Sequence, residues 1–215
     1  MLFSRRRFVT SSVAVASVGS TLALAGCGDS KDSVDVKELL KPGALPEMSL
    51  GKADASVTVV EYSSLGCPHC AAFAEEVFPH LKADYIDKGK VRYISREFPL
   101  DQIAAAAAML VRCAPQDKYF EMQDLFFTTQ DRWHVPQNSV DALFALVKQV
   151  GFTRDSFEAC LKDQKLLDGI TAVHDRGANV FQVNATPTFF VNGKKAENFY
   201  SVAGVDQTLS GLVGS

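Results

Sequence analysis

Val57-Thr58-Val59-Val60-Glu61-Tyr62-Ser63 runs through Ser64-Leu65-Gly66 into Cys67-Pro68-His69-Cys70, and this junction decides the fold. Residues Ser56 to Ser63 alternate as a strand does, with Val57, Val59 and Glu61 on one face and Thr58, Val60 and Tyr62 on the other. Cys70 to Ile86 then takes a helical period, placing Cys70, Phe73, Ala74, Val77, Phe78, Leu81 and Tyr85 on one stripe. Pro79 lies inside that helix and predicts a kink, because it removes a backbone donor.

A C-x-x-C at a helix start gives its two thiols different environments. Exposed N–H groups and the positive end of the helix dipole favour a thiolate at Cys67. Pro68 suits the first turn, where a missing N–H costs nothing. Cys70 falls on the apolar stripe and is expected to be buried. Cys67 is therefore the thiol that accepts attack and forms a mixed disulfide, and Cys70 resolves it. Each pKa unit of Cys67 below ambient pH stabilises the reduced form by about 1.4 kcal/mol, or about 30 mV. His69 either adds a hydrogen bond or positive charge to this or is an exposed spacer. Glu61, on the strand beneath the helix start, is either a partly buried carboxylate of raised pKa that exchanges a proton with Cys70, or one that reaches water at the sheet end.

Outward from this unit, Val91 to Phe98 reads as a second strand ended by Pro99. The pattern then turns helical: Ile103–Val111 is apolar all round, and 118–128, 140–150 and 155–163 are amphipathic, with Ser139 and Thr153 as N-caps. A helix follows over about Leu166–Phe181, then a short strand Thr188–Val191 and an Asn192-Gly193 turn. Phe199–Ala203 is the expected hairpin partner and Val205–Leu212 a closing helix. The fold class is α/β, a small sheet split by an all-helical insertion. The division places the sheet domain at 56–100 and 166–215, the helical insertion at 101–165, a tether and edge segment at 27–55 and an export signal at 1–26.

These residues resemble the DsbA-like thiol:disulfide oxidoreductases of the thioredoxin superfamily. The resemblance rests on Val59-Val60-Glu61-Tyr62, Cys67-Pro68-His69-Cys70, Arg96-Glu97-Phe98-Pro99-Leu100 and Ala185-Thr186-Pro187-Thr188-Phe189-Phe190, and covers the chain from about Met48 onward. It implies a thioredoxin fold, a cis proline at Pro187 with Thr186 and Pro187 docking the substrate backbone, and disulfide donation to exported protein substrates. It also implies a membrane redox partner and no small cofactor. A strongly lowered cysteine pKa is a known property of that family, so a low value for Cys67 comes with the resemblance as well. The best-known oxidases carry valine before the cis proline, so Thr186 leaves the direction of electron flow open between oxidase and reductase. Family isomerases dimerise through an amino-terminal domain that residues 27–55 are too short to supply, which favours a monomer. A different class, a binding or chaperone module with an incidental disulfide, is separated by whether a Cys67→Ser variant keeps activity. With Cys67 and Cys70 paired, Cys113 and Cys160 remain, and similar proteins carry a structural disulfide in this region; two separate buried thiols is the alternative.

The amino terminus reads as an address. Arg5, Arg6 and Arg7 precede a mildly apolar run that serines dilute too far for a membrane span. Ser4-Arg5-Arg6-Arg7-Phe8-Val9 resembles a twin-arginine export motif, with an ordinary secretion signal as the alternative. Leu24-Ala25-Gly26-Cys27 resembles a bacterial lipoprotein box, which predicts acylation of Cys27 and a membrane-anchored protein in the periplasm or its extracytoplasmic equivalent. The alternative is a soluble export signal with an accidental cysteine. The 215 residues carry five cysteines, an odd number, and Cys27 accounts for the one that cannot pair. Export places the other four where disulfides persist. A formal charge of −3 gives no argument for nucleic acid. His80, His134 and His174 have no metal-ligand spacing with the cysteines, so no metal is expected.

Overall fold

The computed structural model describes residues 33–134 and 137–213. The export signal expected over 1–26 and the acylation expected at Cys27 lie outside these residues. No helix among the described residues is long and apolar enough to cross a membrane.

Strand β2, Val57–Ser63, pairs in parallel with β3, Val91–Glu97, so Val57 lies opposite Val91 and Ser63 opposite Glu97. A parallel pair needs a crossover, and helix α2 over 68–86 supplies it. On the other side of β2 lies β4, Thr188–Val191, antiparallel, followed by the two-residue β5, Lys194–Lys195. An edge strand β1, Met48–Leu50, runs antiparallel to β3, giving the order β1-β3-β2-β4-β5. Before it, α1 spans Val36–Leu39.

Both faces of the sheet are buried. Val57 and Val59, with Tyr93, Phe189 and Val191, pack under Phe73, Val77, Leu81 and Ile86 of α2. Val60, Tyr62, Ile94 and Phe190 face the other way, against Leu39, Phe98 and Phe181. Truncating the fully buried Leu81 or Ile94 to alanine would cost about 2–5 kcal/mol. Between β3 and β4 run α3 (Gln102–Cys113), α4 (Tyr119–Thr128), α5 (Gln130–Trp133), α6 (Ser139–Lys148), α7 (Arg154–Leu161) and α8 (Gln164–Val180). Their core, around Leu110, Phe126, Trp133 and Phe157, is continuous with Leu65, Cys67, Cys70 and Ala71. The reactive junction is thus packed from both the sheet side and the helical side.

Four local expectations change. The crossover helix begins at Pro68 rather than Cys70, and it absorbs Pro79 through a wide π-helical turn at Phe73–Val77, followed by another at Lys82–Ile86. Each wide turn rotates the buried stripe, so Ile86 is buried while Tyr85, Ala74 and Phe78 are only partly so. Asn138, not Ser139, caps α6, because the cap position has φ 61, which asparagine tolerates. The hairpin partner of β4 is Lys194–Lys195 rather than 199–203. Asn192 and Gly193 both take positive φ, closing a tight turn that pairs the very next residues. Phe199 instead sits in a turn, fully buried. The closing helix α9 spans Val202–Leu209, three residues early, because Ser201 caps it by accepting from the Gly204 N–H.

Candidate active site

Cys67 is the last extended residue before α2, at φ −88° and ψ 121°. Its N–H donates to the Ser64 carbonyl at 3.0 Å, and its carbonyl accepts from Cys70 and Ala71, each at 3.1 Å. Pro68 takes the first helical position, as its fixed φ favours. The approach loop is braced by Ser64, whose Oγ accepts from the N–H groups of Gly66 and Leu100, each at 3.3 Å. Gly66 has no room for a side chain: a Cβ there would meet His134 Nε2 at 2.9 Å and Ala104 Cβ at 3.2 Å.

The two thiols are free and held differently. Cys67 is 5% exposed and Cys70 fully buried. The Cys67 thiol is pulled down to about 5, first by the hydrogen bond from the Cys70 thiol, against the opposing effect of burial. The Thr186 hydroxyl and the N–H groups of Cys70 and His69 add to the lowering. Cys70 is driven strongly upward, chiefly by burial, and further by Cys67 and Glu61. One sulfur is set to be a thiolate at neutral pH and the other a thiol. His69 is exposed, and its ring makes no hydrogen bond among the described residues. Its backbone N–H is among the groups that lower Cys67.

Thr186–Pro187 is a cis peptide bond beside this pair. The Cys67 thiol donates to the Thr186 carbonyl at 3.2 Å. The Thr186 hydroxyl is buried and has no hydrogen-bond partner among the described residues in the dithiol form. Its dipole can turn toward a thiolate at Cys67, which gives the orphaned group a use.

Glu61 is 3% exposed, beneath the helix start. Burial pushes its carboxyl up to about 7; hydrogen bonds with Tyr93 and Ser63 lower it, and the charge on Cys67 raises it. Tyr93 donates its hydroxyl to Glu61 Oε2, and its own pKa is raised well above 10.0 by burial and by Glu61. A cleft of about 40 Å³ adjoins them, walled by Phe73, Phe78, Phe120 and Phe127 and ending at Gln123 and Asp124. That volume can hold a water molecule, which needs roughly 10–15 Å³.

Sequence reasoning missed Tyr93 and the pair His134 and Asp101, whose Nε2 and Oδ2 lie 2.9 Å apart across the approach loop. The signal for Tyr93 was present: Val59 pairs with Tyr93 and Glu61 with Ser95, so the tyrosine shares the face of Glu61 one step away. Cys113 and Cys160 are joined as a disulfide between α3 and α7, with Cα atoms 6.1 Å apart. A larger cavity, about 310 Å³, is lined by Arg96, Arg112 and Arg176 and excludes the reactive thiols. Those guanidiniums are already committed to Glu47, Glu97 and Glu38 and to carbonyls of residues 38–46. They fasten the amino-terminal segment rather than await a ligand.

Comparison with known proteins finds the thioredoxin family model matching residues 44–210. A Rickettsia bellii protein bearing the name of a protein-disulfide oxidoreductase is 34% identical over 154 residues, which are 71% of this chain and 60% of that one. The chain thus spans about three fifths of the length of that relative. A Bacillus cereus protein, named as a probable disulfide bond formation protein D, is 30% identical over 191 residues, 86% of each chain. Among solved structures, alpha-DsbA1 of Wolbachia pipientis superposes with a TM-score of 0.75 at 32% identity, covering 83% of this chain and 96% of that one.

Proposed function

The chain belongs to the thioredoxin family, and from that premise we propose that it is a thiol:disulfide oxidoreductase of the DsbA-like branch, acting as a dithiol oxidase of exported proteins. The observation that carries this reading is the asymmetry of the thiols: Cys67 lowered to about 5 at the helix start, and Cys70 buried and held protonated. A disulfide whose reduced form is stabilised as a thiolate accepts electrons readily, which favours the oxidase over the reductase direction.

In the oxidised form, a substrate thiolate attacks Cys67 Sγ, forming a mixed disulfide and breaking the Cys67–Cys70 bond. The electron pair leaves on Cys70, which takes a proton from Glu61. A second substrate thiolate then attacks the substrate sulfur, releasing the substrate disulfide and a Cys67 thiolate. Two electrons have passed to the protein, and a membrane redox partner removes them. Glu61 recovers its proton through the cleft toward Asp124, and Thr186 and Pro187 present a backbone edge to the incoming chain. The domain reading remains a thioredoxin-fold body of 56–100 and 166–215 with a helical insertion of 101–165. The export signal at 1–26 and acylation of Cys27 would make the protein a membrane-anchored, periplasmic or extracytoplasmic monomer.

A Cys70→Ala variant tests the reading. Without the resolving thiol, mixed disulfides through Cys67 should accumulate with exported proteins, and a Cys67→Ser/Cys70→Ala chain should trap none. Equal association of both variants with the same proteins would point to a binding module instead.

A further inference from the structure

We propose that His134, fastened by Asp101, is a positioning residue for Cys67, bracing the approach loop so that the Cys67 sulfur stays against the helix start in the dithiol form. The proposal rests on the redox reading above and adds a residue of the helical segment to its site.

The loop Ser64-Leu65-Gly66 leads directly into Cys67 and is buried throughout. On the sheet side it is tied by Ser64, whose carbonyl accepts from the Cys67 N–H. On the other side the helical segment holds it. Gln130 Nε2 donates to the Leu65 carbonyl at 2.5 Å, and the His134 N–H donates to the Gln130 carbonyl at 2.9 Å. The His134 ring then lies on Gly66, where a Cβ would stand 2.9 Å from Nε2 and 3.2 Å from Cε1. Gly66 does not take positive φ, so the glycine serves this close approach.

The ring is itself held. Trp133, fully buried with its indole N–H on the Phe126 carbonyl at 2.8 Å, packs edge-to-face with it at 5.3 Å. Asp101 takes the ring nitrogen: Nε2 donates to Oδ2 at 2.9 Å, while Oδ1 accepts from the Ala104 N–H at 2.8 Å and caps α3. One carboxylate thus fixes the ring to the start of α3. The two side chains keep 31% and 43% of their surface exposed, so they contribute orientation more than buried area.

The brace bears unequally on the two redox forms. In the disulfide, the bond to Cys70 fixes the Cys67 sulfur covalently. In the dithiol, hydrogen bonds alone fix it: to the Thr186 carbonyl at 3.2 Å, and with the Cys70 thiol and the N–H groups of Cys70 and His69. Such bonds weaken steeply as distance and angle loosen. A loosened loop one residue before Cys67 therefore costs the reduced form more than the oxidised form.

The test uses the full chain and the variants His134→Ala, His134→Gln and Asp101→Ser. Glutamine keeps a donor within reach of Asp101, whereas serine keeps a cap on α3 and is too short to hold His134. Each reduced chain is titrated by thiolate absorbance and equilibrated with a glutathione redox couple, and both redox forms are melted. H134A and D101S should raise the Cys67 midpoint from near 5 by about half to one pH unit. The equilibrium constant for reduction should fall about three- to tenfold, tenfold being about 30 mV. H134A/D101S should move no further than either single variant, since both release the same ring, and H134Q should stay close to the parent. Unchanged midpoints and equilibrium constants, with equal losses of Tm in both redox forms, would make the pair a packing element and overturn the proposal. A shift in H134A without one in D101S would overturn the role of Asp101. A parent midpoint near 8.5, about that of an unperturbed cysteine, is a separate failure, that of the redox reading itself.

Discussion

The Tyr93 hydroxyl donates a hydrogen bond to Glu61 Oε2 in the interior beneath Cys70. The bond sets how readily Glu61 ionises. Burial alone drives a carboxyl upward, and a donor aimed at the carboxylate draws it partly back. The outcome, about 7, is where a group can both give and take a proton at neutral pH.

Tyr93→Phe removes the donor and keeps the ring in its apolar place. A hydrogen bond to a charged group contributes about 1.5–3 kcal/mol, which corresponds to a rise of about 1–2 pKa units for Glu61. The pH profile of disulfide reduction by a model dithiol should move its Glu61 limb upward, while the Cys67 titration stays in place. An unmoved profile would make Tyr93 a packing residue only.

Glu61→Gln removes the proton donor for Cys70 and should slow substrate oxidation by tenfold or more, within reach of the general acid contribution of about 10²–10⁴. Its stability effect has a definite sign. Glu61 titrates near 4.5 when unfolded and near 7 when folded, so the unfolded chain binds fewer protons in between, and stability falls as pH rises through that window. The variant lacks this loss and should be more stable than the parent above pH 7, by an amount of the order of 3 kcal/mol. Denaturant melts of both chains at pH 5 and pH 8 measure it.

The strand and the burial of Cys70 were legible because each rests on local chemistry: alternation over 57–63, and Cys70 on the apolar stripe. The parts that were not legible depend on non-local geometry. Tyr93 reaches Glu61 only through the parallel register of β2 and β3. His134 sits by Gly66 only because the helical segment folds back over the approach loop. The π turns of α2 shift a stripe that a uniform helical period cannot follow, and Phe199 looked like a strand residue because core burial in a turn leaves the same apolar trace.

The reduced protein should gain stability over the oxidised one as pH rises from 5 toward 8. Cys67 has a folded pKa of about 5, below its unfolded value near 9.0, so the unfolded reduced chain binds more protons in this window. The disulfide form has no such thiol to titrate, and Glu61 is present in both. The difference in Tm between the two forms should widen across these pH values; a constant difference would contradict the lowered Cys67.

The Cys113–Cys160 bridge closes a separation of 47 residues, worth roughly 4 kcal/mol in the chain-entropy model. A Cys113→Ser/Cys160→Ser chain should melt at markedly lower temperature while Cys67 keeps its titration, since neither serine touches the reactive sulfur. Loss of the Cys67 shift in that variant would tie the bridge to the redox pair.

Whether Cys67 is a thiolate at neutral pH is decided by titrating the reduced protein, following ultraviolet absorbance against pH with a Cys67→Ser chain as the blank. One transition is expected, with a midpoint near 5, absent from the blank, and no second thiolate until strongly alkaline pH. A midpoint near 8.5, roughly the value of an unperturbed cysteine, would contradict this and remove the basis for an oxidase.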